Sequence, residues 1–271
     1  MHAALTLGCQ CTVVVPTTTS AYMISKLRVA GATDIIQLGA SWAEADAHLR
    51  EVVLPESQAR GEYAVYCPPF DDPAIWAGNS TLVDELVEDF QGPIADNQGI
   101  EGVKAVVCSV GGGGLFCGVV EGMKRHGLSQ RMKILALETE GADSLTSAVE
   151  QNEHITLPAI TSIATSLGAR KVAAKAYEYA TEHGNNVICA RLSDEEAVLG
   201  CLELAEWERV LVEPACGVNV GVCMNGKLKK LLPELKEEDK VVVVVCGGSN
   251  VNIDMMADWK RQYLMATGKA A

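Results

Sequence analysis

Apolar and polar positions along the chain alternate between two periods. Short continuous runs rich in β-branched residues, at 11–16, 34–38, 63–67, 103–110, 133–138, 187–192 and 241–246, read as strands. Between them, apolar residues recur at helical spacing over 20–32, 41–54, 73–90, 115–126, 171–183 and 194–209, with a last helix near 253–266. Ser41 with Glu44 three residues on makes a capping box, and Gly31 stands at the end of the first of these helices. Residues 91–102 read as a polar loop.

Strands that are apolar on both faces and alternate with helices predict an α/β fold with parallel sheets covered on both sides. The sharpest break in composition is Pro68-Pro69-Phe70-Asp71-Asp72-Pro73. It divides the chain into residues 1–70, a remainder of a small α/β domain, and residues 71–271, a large α/β domain. Residues 1–7 read as the tail of an amphipathic helix without a cap, so the sequence is expected to open in mid-domain.

Composition narrows the function classes. With 22 Lys+Arg against 35 Asp+Glu the net charge is -13. That argues against nucleic acid and against an anionic membrane surface as partners. The apolar runs are too short to cross a bilayer. The ten Cys form no CxxC pair and no His stands at finger-like spacing, so a structural zinc site is not expected. Nine of the ten read as small buried hydrophobes in a reducing compartment, and the cytoplasm is the default location. His48, His126 and His183 read as solvent-exposed.

Three segments can carry chemistry. Gly111, Gly112, Gly113 and Gly114 follow a buried strand and open a helix. Such a run lets backbone N–H groups and a helix N-terminus cradle an anion, most often phosphate. The competing reading is a packing turn where strand and helix approach closely. The run satisfies neither GxGxxG nor the Walker pattern, which disfavours a Rossmann-type nucleotide binder. Residues 241–250 form a second buried strand that runs into a Gly turn, with Cys246 as core thiol or site residue. Glu213, before Pro214, is either a buried acid or part of a simple turn.

In this order SVGGGGLFCGV, VEPACG and VVVVVCGGSN resemble the serine/threonine dehydratases of the fold-type II pyridoxal-phosphate enzymes, most of all the catabolic L-serine dehydratase branch. YCPPFDDPAIWAGNSTLVDEL resembles that branch's interlobe segment, and CTVVVPTTTSAYMISKLRVAGA its small-domain strand and helix. The likeness runs from Gly8 to Asn250. It implies a two-lobed, tryptophan-synthase-β-like α/β architecture with its N-terminal part missing. It implies pyridoxal 5′-phosphate (PLP) as cofactor, bound by Gly111, Gly112, Gly113, Gly114, Leu115, Cys246 and Gly247, with Cys246 facing the pyridine nitrogen. By position it also implies a monovalent cation (K+) at Gly111, Glu138, Ala142, Leu167 and Ala169. The implied reaction is elimination from a small-molecule amino acid, L-serine to pyruvate and ammonia, with L-threonine to 2-oxobutanoate beside it. A homodimer is the family-level expectation.

The sequence departs from the family in one respect. The Schiff-base lysine of an S-x-F-K motif, and the S-x-G-N-A loop after it, do not occur. Of the 13 Lys, only Lys26 has a similar neighbourhood, and it falls inside a predicted helix as a surface charge. No catalytic residue is therefore assigned, and the chain as given is expected to be inactive. The alternative is a catalytically dead relic or a regulatory partner of an intact homologue.

Overall fold

The computed structural model describes residues 1–91 and 99–265, with side chains to residue 263. It falls into two compact units, Met1–Pro68 and Pro69–Ala271.

In the first unit α1 (His2–Leu7) precedes β1 (Thr12–Val15), α2 (Ala21–Val29), β2 (Asp34–Gln37), α3 (Trp42–His48) and α4 (Leu54–Ala59). β1 and β2 pair in parallel, Val13 opposite Ile35. Ser20 and Ser41 cap α2 and α3 by accepting the N–H of Met23 and Glu44. The predicted helix over 41–54 runs on to Ala59. A π turn at Leu49–Val53 leads into α4, which has Pro55 in its first turn. Proline cannot donate to the preceding turn, and the shift in register accommodates that loss. The strand predicted over 63–67 does not form. Ala64 and Tyr66 are half-buried while Tyr63 and Val65 are exposed, and no ladder partner stands beside them among the described residues. Tyr66 instead donates its hydroxyl to Asp46 at 2.6 Å.

The second unit holds α5 (Pro73–Asp89), β3 (Val103–Ser109), α6 (Gly114–Arg125), β4 (Lys133–Thr139), α7 (Ser144–Gln151), α8 (Ala174–Thr181), β5 (Val187–Leu192), α9 (Asp194–Glu208), α10 (Pro214–Gly221), α11 (Lys227–Leu231), β6 (Lys240–Val243) and α12 (Ile253–Trp259). Most of the predicted polar loop 91–102 and the end of the last predicted helix at 266 lie outside the described residues. α7 and α11 have no counterpart in the sequence prediction. The predicted strand over 241–246 leaves the ladder after Val243, although the Val244 N–H still reaches Val107 O at 2.9 Å.

The sheet is parallel, in the order β5-β4-β3-β6. Successive strand residues face opposite layers, as the pleat requires. Val106, Cys108, Ile134 and Ala136 pack with Phe116, Met123 and Val83 of α6 and α5 on one side. Ala105, Val107, Leu135 and Leu137 pack with Ala197 and Val218 of α9 and α10 on the other. The chain lays down β3, β4 and β5 in one direction and then returns to place β6 on the far side of β3. The strand order therefore reverses between β3 and β6. In open α/β sheets ligands sit in the crevice outside the carboxyl ends of the strands at such a point.

The cysteines correct the sequence reading. Cys108, Cys117, Cys201 and Cys216 are buried, Cys11 and Cys189 are intermediate, and Cys9, Cys67, Cys223 and Cys246 are exposed, all as free thiols. The exposed thiols lie outside the packed elements: Cys9 and Cys67 in connections of the first unit, Cys223 just after α10 and Cys246 past the end of β6. His126 and His183 are exposed as expected, but His48 is half-buried. Lys26 is exposed on α2, stacked over the Tyr22 ring at 5.2 Å. No described helix is long and apolar enough to cross a membrane.

Candidate functional site

The four glycines lie between the end of β3 and the start of α6, and each is pressed against a neighbour. A Cβ on Gly111 would stand 3.0 Å from Ser166 O, and one on Gly112 would overlap the Phe70 ring. Gly113 has φ +97°, and its Cβ would fall 2.6 Å from that of Ala176. A Cβ on Gly114 would lie 3.1 Å from Phe70 O. The Ala173 N–H holds Gly112 O at 3.0 Å and fixes the loop on the N-cap of α8. The packing-turn and cradle readings thus coexist, because the same backbone opens on a cavity.

That cavity has a volume of about 340 Å³ and is lined by Pro69, Phe70, Asn79, Ser109, the four glycines, Leu115 and Ser166. This is at the lower end of the roughly 300–1,000 Å³ of small-molecule sites. None of the lining residues is charged. α6 starts at its edge, and its N-cap, Gly113, supplies no side-chain acceptor. The first N–H groups of a helix have no intrahelical partner and carry partial positive charge. An uncapped twelve-residue helix opening on an acid-free cavity suits an anion.

The loop carrying Ser166 is fixed from below. Thr139 Oγ1 and Ser162 Oγ lie 2.8 Å apart, and Ser162 donates to Asp194 Oδ1 at 2.6 Å. Glu138, 1% exposed at the end of β4, accepts the Leu145 N–H at 2.9 Å, the Thr146 N–H at 2.7 Å and the Thr146 hydroxyl at 2.6 Å. Burial pushes its carboxyl up to about 7 against those three hydrogen bonds. The other residues of the implied cation set lie nearby in sequence and contact. Leu167 backs on Gly111, Ala169 N–H donates to Leu167 O at 2.8 Å, and Ala142 N–H donates to Thr139 O at 2.8 Å. Among the described residues no three His, Cys, Asp or Glu side chains gather as metal ligands.

The second segment continues β6, the strand beside β3. Cys246 is exposed, and Gly247 and Gly248, with φ +85° and +116°, turn the chain. Glu213 is both buried acid and turn clamp. It is 7% exposed, its N–H donates to Gly247 O at 3.1 Å, and its carboxylate accepts the Asn250 N–H at 3.0 Å. A side chain on Gly248 would overlap that carboxylate. Cys216, in the first turn of α10, accepts the N–H groups of Cys246 and Gly247 on its sulfur. Two strand ends on adjacent parallel strands, about 4.8 Å apart, therefore lead into the glycine cradle and the Cys246 turn at one edge of the sheet.

Sequence reasoning missed Asn219 and Phe70. Asn219 is fully buried on α10 and bridges the two strand ends. It was visible as the single polar residue in the apolar run ACGVNVG. Phe70, which covers the glycines, lay in the segment read as a domain junction.

The chain is similar to known proteins. An L-serine dehydratase of Saccharomyces cerevisiae is 38% identical over 249 residues, covering 91% of this chain and 72% of its own length. An L-serine dehydratase/L-threonine deaminase of Bos taurus is 38% identical over 264 residues, covering 96% of this chain and 75% of its own. The crystal structure of a fungal L-serine ammonia-lyase from Rhizomucor miehei superposes with a TM-score of 0.82 at 30% identity, covering 96% of this chain and 76% of that one. The family model described as pyridoxal-phosphate dependent enzyme matches residues 1–247, which include the four glycines and Cys246, and the chain belongs to that family.

Proposed function

We propose that the second unit is the cofactor lobe of an L-serine dehydratase type of PLP enzyme, with PLP lying across the crevice between the ends of β3 and β6. The observation that carries this reading is the emergence of the glycine cradle and the Cys246 turn from adjacent parallel strands at one sheet edge. Gly111, Gly112, Gly113, Gly114 and Leu115 would hold the phosphate, and Cys246 and Gly247 the ring nitrogen. In this reading the small lobe is residues 1–70 and the large lobe 71–271, a boundary two residues beyond that of the compact units.

When bound, PLP supplies the electron sink that labilises bonds at the amino-acid α- and β-carbons. The chain's own contribution is binding and tuning. Backbone N–H groups of the loop and the first turn of α6 compensate the phosphate charge without a counter-charged side chain. The contact with Cys216 holds the proton on Cys246, so a neutral sulfur, and no charged partner, would face the ring nitrogen. Such a neutral partner would fit an elimination at the β-carbon. No lysine lines the cavity, and these 271 residues contain no S-x-F-K. Cofactor binding without turnover is the outcome we expect of the chain as given.

The same reading includes K+ on the carbonyls of Gly111, Ala142, Leu167 and Ala169 with Glu138, whose carboxylate keeps about one acceptor position beyond its three hydrogen bonds. It also includes a homodimer and, from ten free thiols, a reducing cytoplasmic setting.

Equilibrium dialysis against PLP and against pyridoxal, which lacks the phosphate, tests the cradle. One or two charge-assisted hydrogen bonds correspond to roughly 10–100-fold tighter binding of PLP. Equal binding of the two would defeat the assignment. A coupled pyruvate assay with L-serine should read zero, and steady pyruvate release would refute the expected lack of turnover.

A further inference from the structure

Cys216 and Cys246 meet where α10 begins and the extension of β6 ends. The Cys216 sulfur accepts the Cys246 N–H at 3.2 Å and the Gly247 N–H at 3.4 Å. Adding about 1.5 Å for the N–Cα bond puts that sulfur within about 4.7 Å of the Cys246 Cα. Side-chain reach of about 2.8 Å plus an S–S bond of about 2.05 Å covers this separation. Cys216 is 1% exposed and Cys246 lies over it, open to solvent.

The two thiols are chemically unequal. A hydrogen bond from Cys246 and the two backbone N–H groups draw Cys216 down to about 7. The same contact pushes Cys246 upward. The two opposite shifts favour a single proton held between the two sulfurs. Cys108, Cys117, Cys189 and Cys201 are pushed up to about 12 by burial and stay protonated. Thiolate character, not the mere presence of sulfur, sets reactivity.

We propose that Cys216 and Cys246 form a reactive dithiol, a modification site that a hydroperoxide closes to a disulfide. The shared proton moves to Cys216 as the Cys246 sulfur attacks the peroxide. The S–O bond forms, the O–O bond breaks, and the departing hydroxide takes the proton from Cys216 to leave as water. The Cys216 thiolate then attacks the Cys246 sulfenic sulfur. The S–S bond forms, the S–O bond breaks, and the second hydroxide takes a solvent proton. The peroxide gains the two electrons that the sulfurs lose. The cross-link stands without the cofactor assignment. Its consequence, withdrawal of the Cys246 sulfur from the ring nitrogen, rests on that assignment.

The full chain, treated with equimolar hydrogen peroxide, alkylated and digested, is mapped by mass spectrometry with and without dithiothreitol. A reducible peptide pair joining Cys216 to Cys246, formed ahead of products at Cys9, Cys11, Cys67 and Cys223 and absent from C216S and C246S, is expected. Recovery of both cysteines as alkylated thiols, or of Cys246 oxidised but uncrosslinked, overturns the proposal. The cross-linked protein should bind PLP about tenfold more weakly. A disulfide that leaves PLP affinity unchanged upholds the dithiol and counts against Cys246 as the ring partner.

Discussion

Asn219 donates its side-chain amide to the Val244 carbonyl oxygen at 2.9 Å, from a position with no solvent exposure. The same amide reaches Ser109 Oγ at 3.4 Å. Val244 continues β6 and Ser109 ends β3, so one side chain of α10 ties together the two strand ends that lead to Cys246 and to the glycines. Among the described residues the buried Asn219 Oδ1 has no hydrogen-bond partner. Such a group costs free energy and is tolerated where the remaining bonds fix a geometry.

Asn219→Ala should therefore act on both binding and stability. It removes the donor to a half-buried carbonyl, which costs about 1 kcal/mol. It should also weaken PLP binding, because the strand ends lose their common anchor. Urea denaturation and PLP titration check the pair. Undiminished affinity in a destabilised but folded variant would show that Asn219 serves packing alone.

Gly113→Ala separates backbone strain from loss of the cradle. Gly113 has φ +97° and a blocked Cβ position, whereas Gly127 has φ +65° and nothing within 4 Å of its Cβ. A left-handed alanine costs about 1–2 kcal/mol at either place. Only Gly113→Ala should also displace α8 and reduce PLP affinity, by tenfold or more in rough terms. The comparison needs both melting curves and both binding isotherms. Equal loss of PLP binding in Gly127→Ala would assign the effect to general destabilisation.

The legible parts of the fold are those whose cause is local. β3, β4 and β5 are apolar on both faces, and Ser193 with Glu196 forms a capping box that marks the start of α9. α7 was missed because its start is stabilised from afar. Its N-cap, Asp143, makes no side-chain cap bond, and the Glu138 carboxylate on β4 takes the N–H groups of Leu145 and Thr146 instead. Residues 63–67 have strand composition, but a strand needs a neighbour and the run itself does not announce one. The glycine run and Cys246 were readable as turns after buried strands. Cys216, thirty residues before Cys246 in sequence, was not readable as its partner.

The first unit should open far more readily than the second. Its fully buried apolar residues are Ile24 and Ala45, and its sheet has two strands. Two-stranded sheets with so small a core are marginal, and regions of low burial exchange from locally open states. In hydrogen exchange, amides of β1 and β2 should lose protection orders of magnitude faster than those of β3 and β4. Equal protection would mean that the first unit is held by something other than its own core.

Alkaline pH should destabilise the protein through its buried thiols. Burial raises Cys108, Cys117, Cys189 and Cys201 to about 12, above an unfolded value near 8.5. Each therefore contributes its full stability below about pH 8.5 and loses it as pH rises toward 12, because the unfolded chain releases the proton first. The slope is about 1.4 kcal/mol per pH unit for each thiol in that window. Cys216 has the opposite sign. Its folded value of about 7 lies below the unfolded one, so its contribution is present above pH 9 and is lost as pH falls through 7. Urea midpoints under reductant should fall steeply from pH 8.5 to 10, and Cys108→Ala should flatten part of that fall. A variant slope identical to the parent's would show that Cys108 ionises as readily in the folded chain as in the unfolded one.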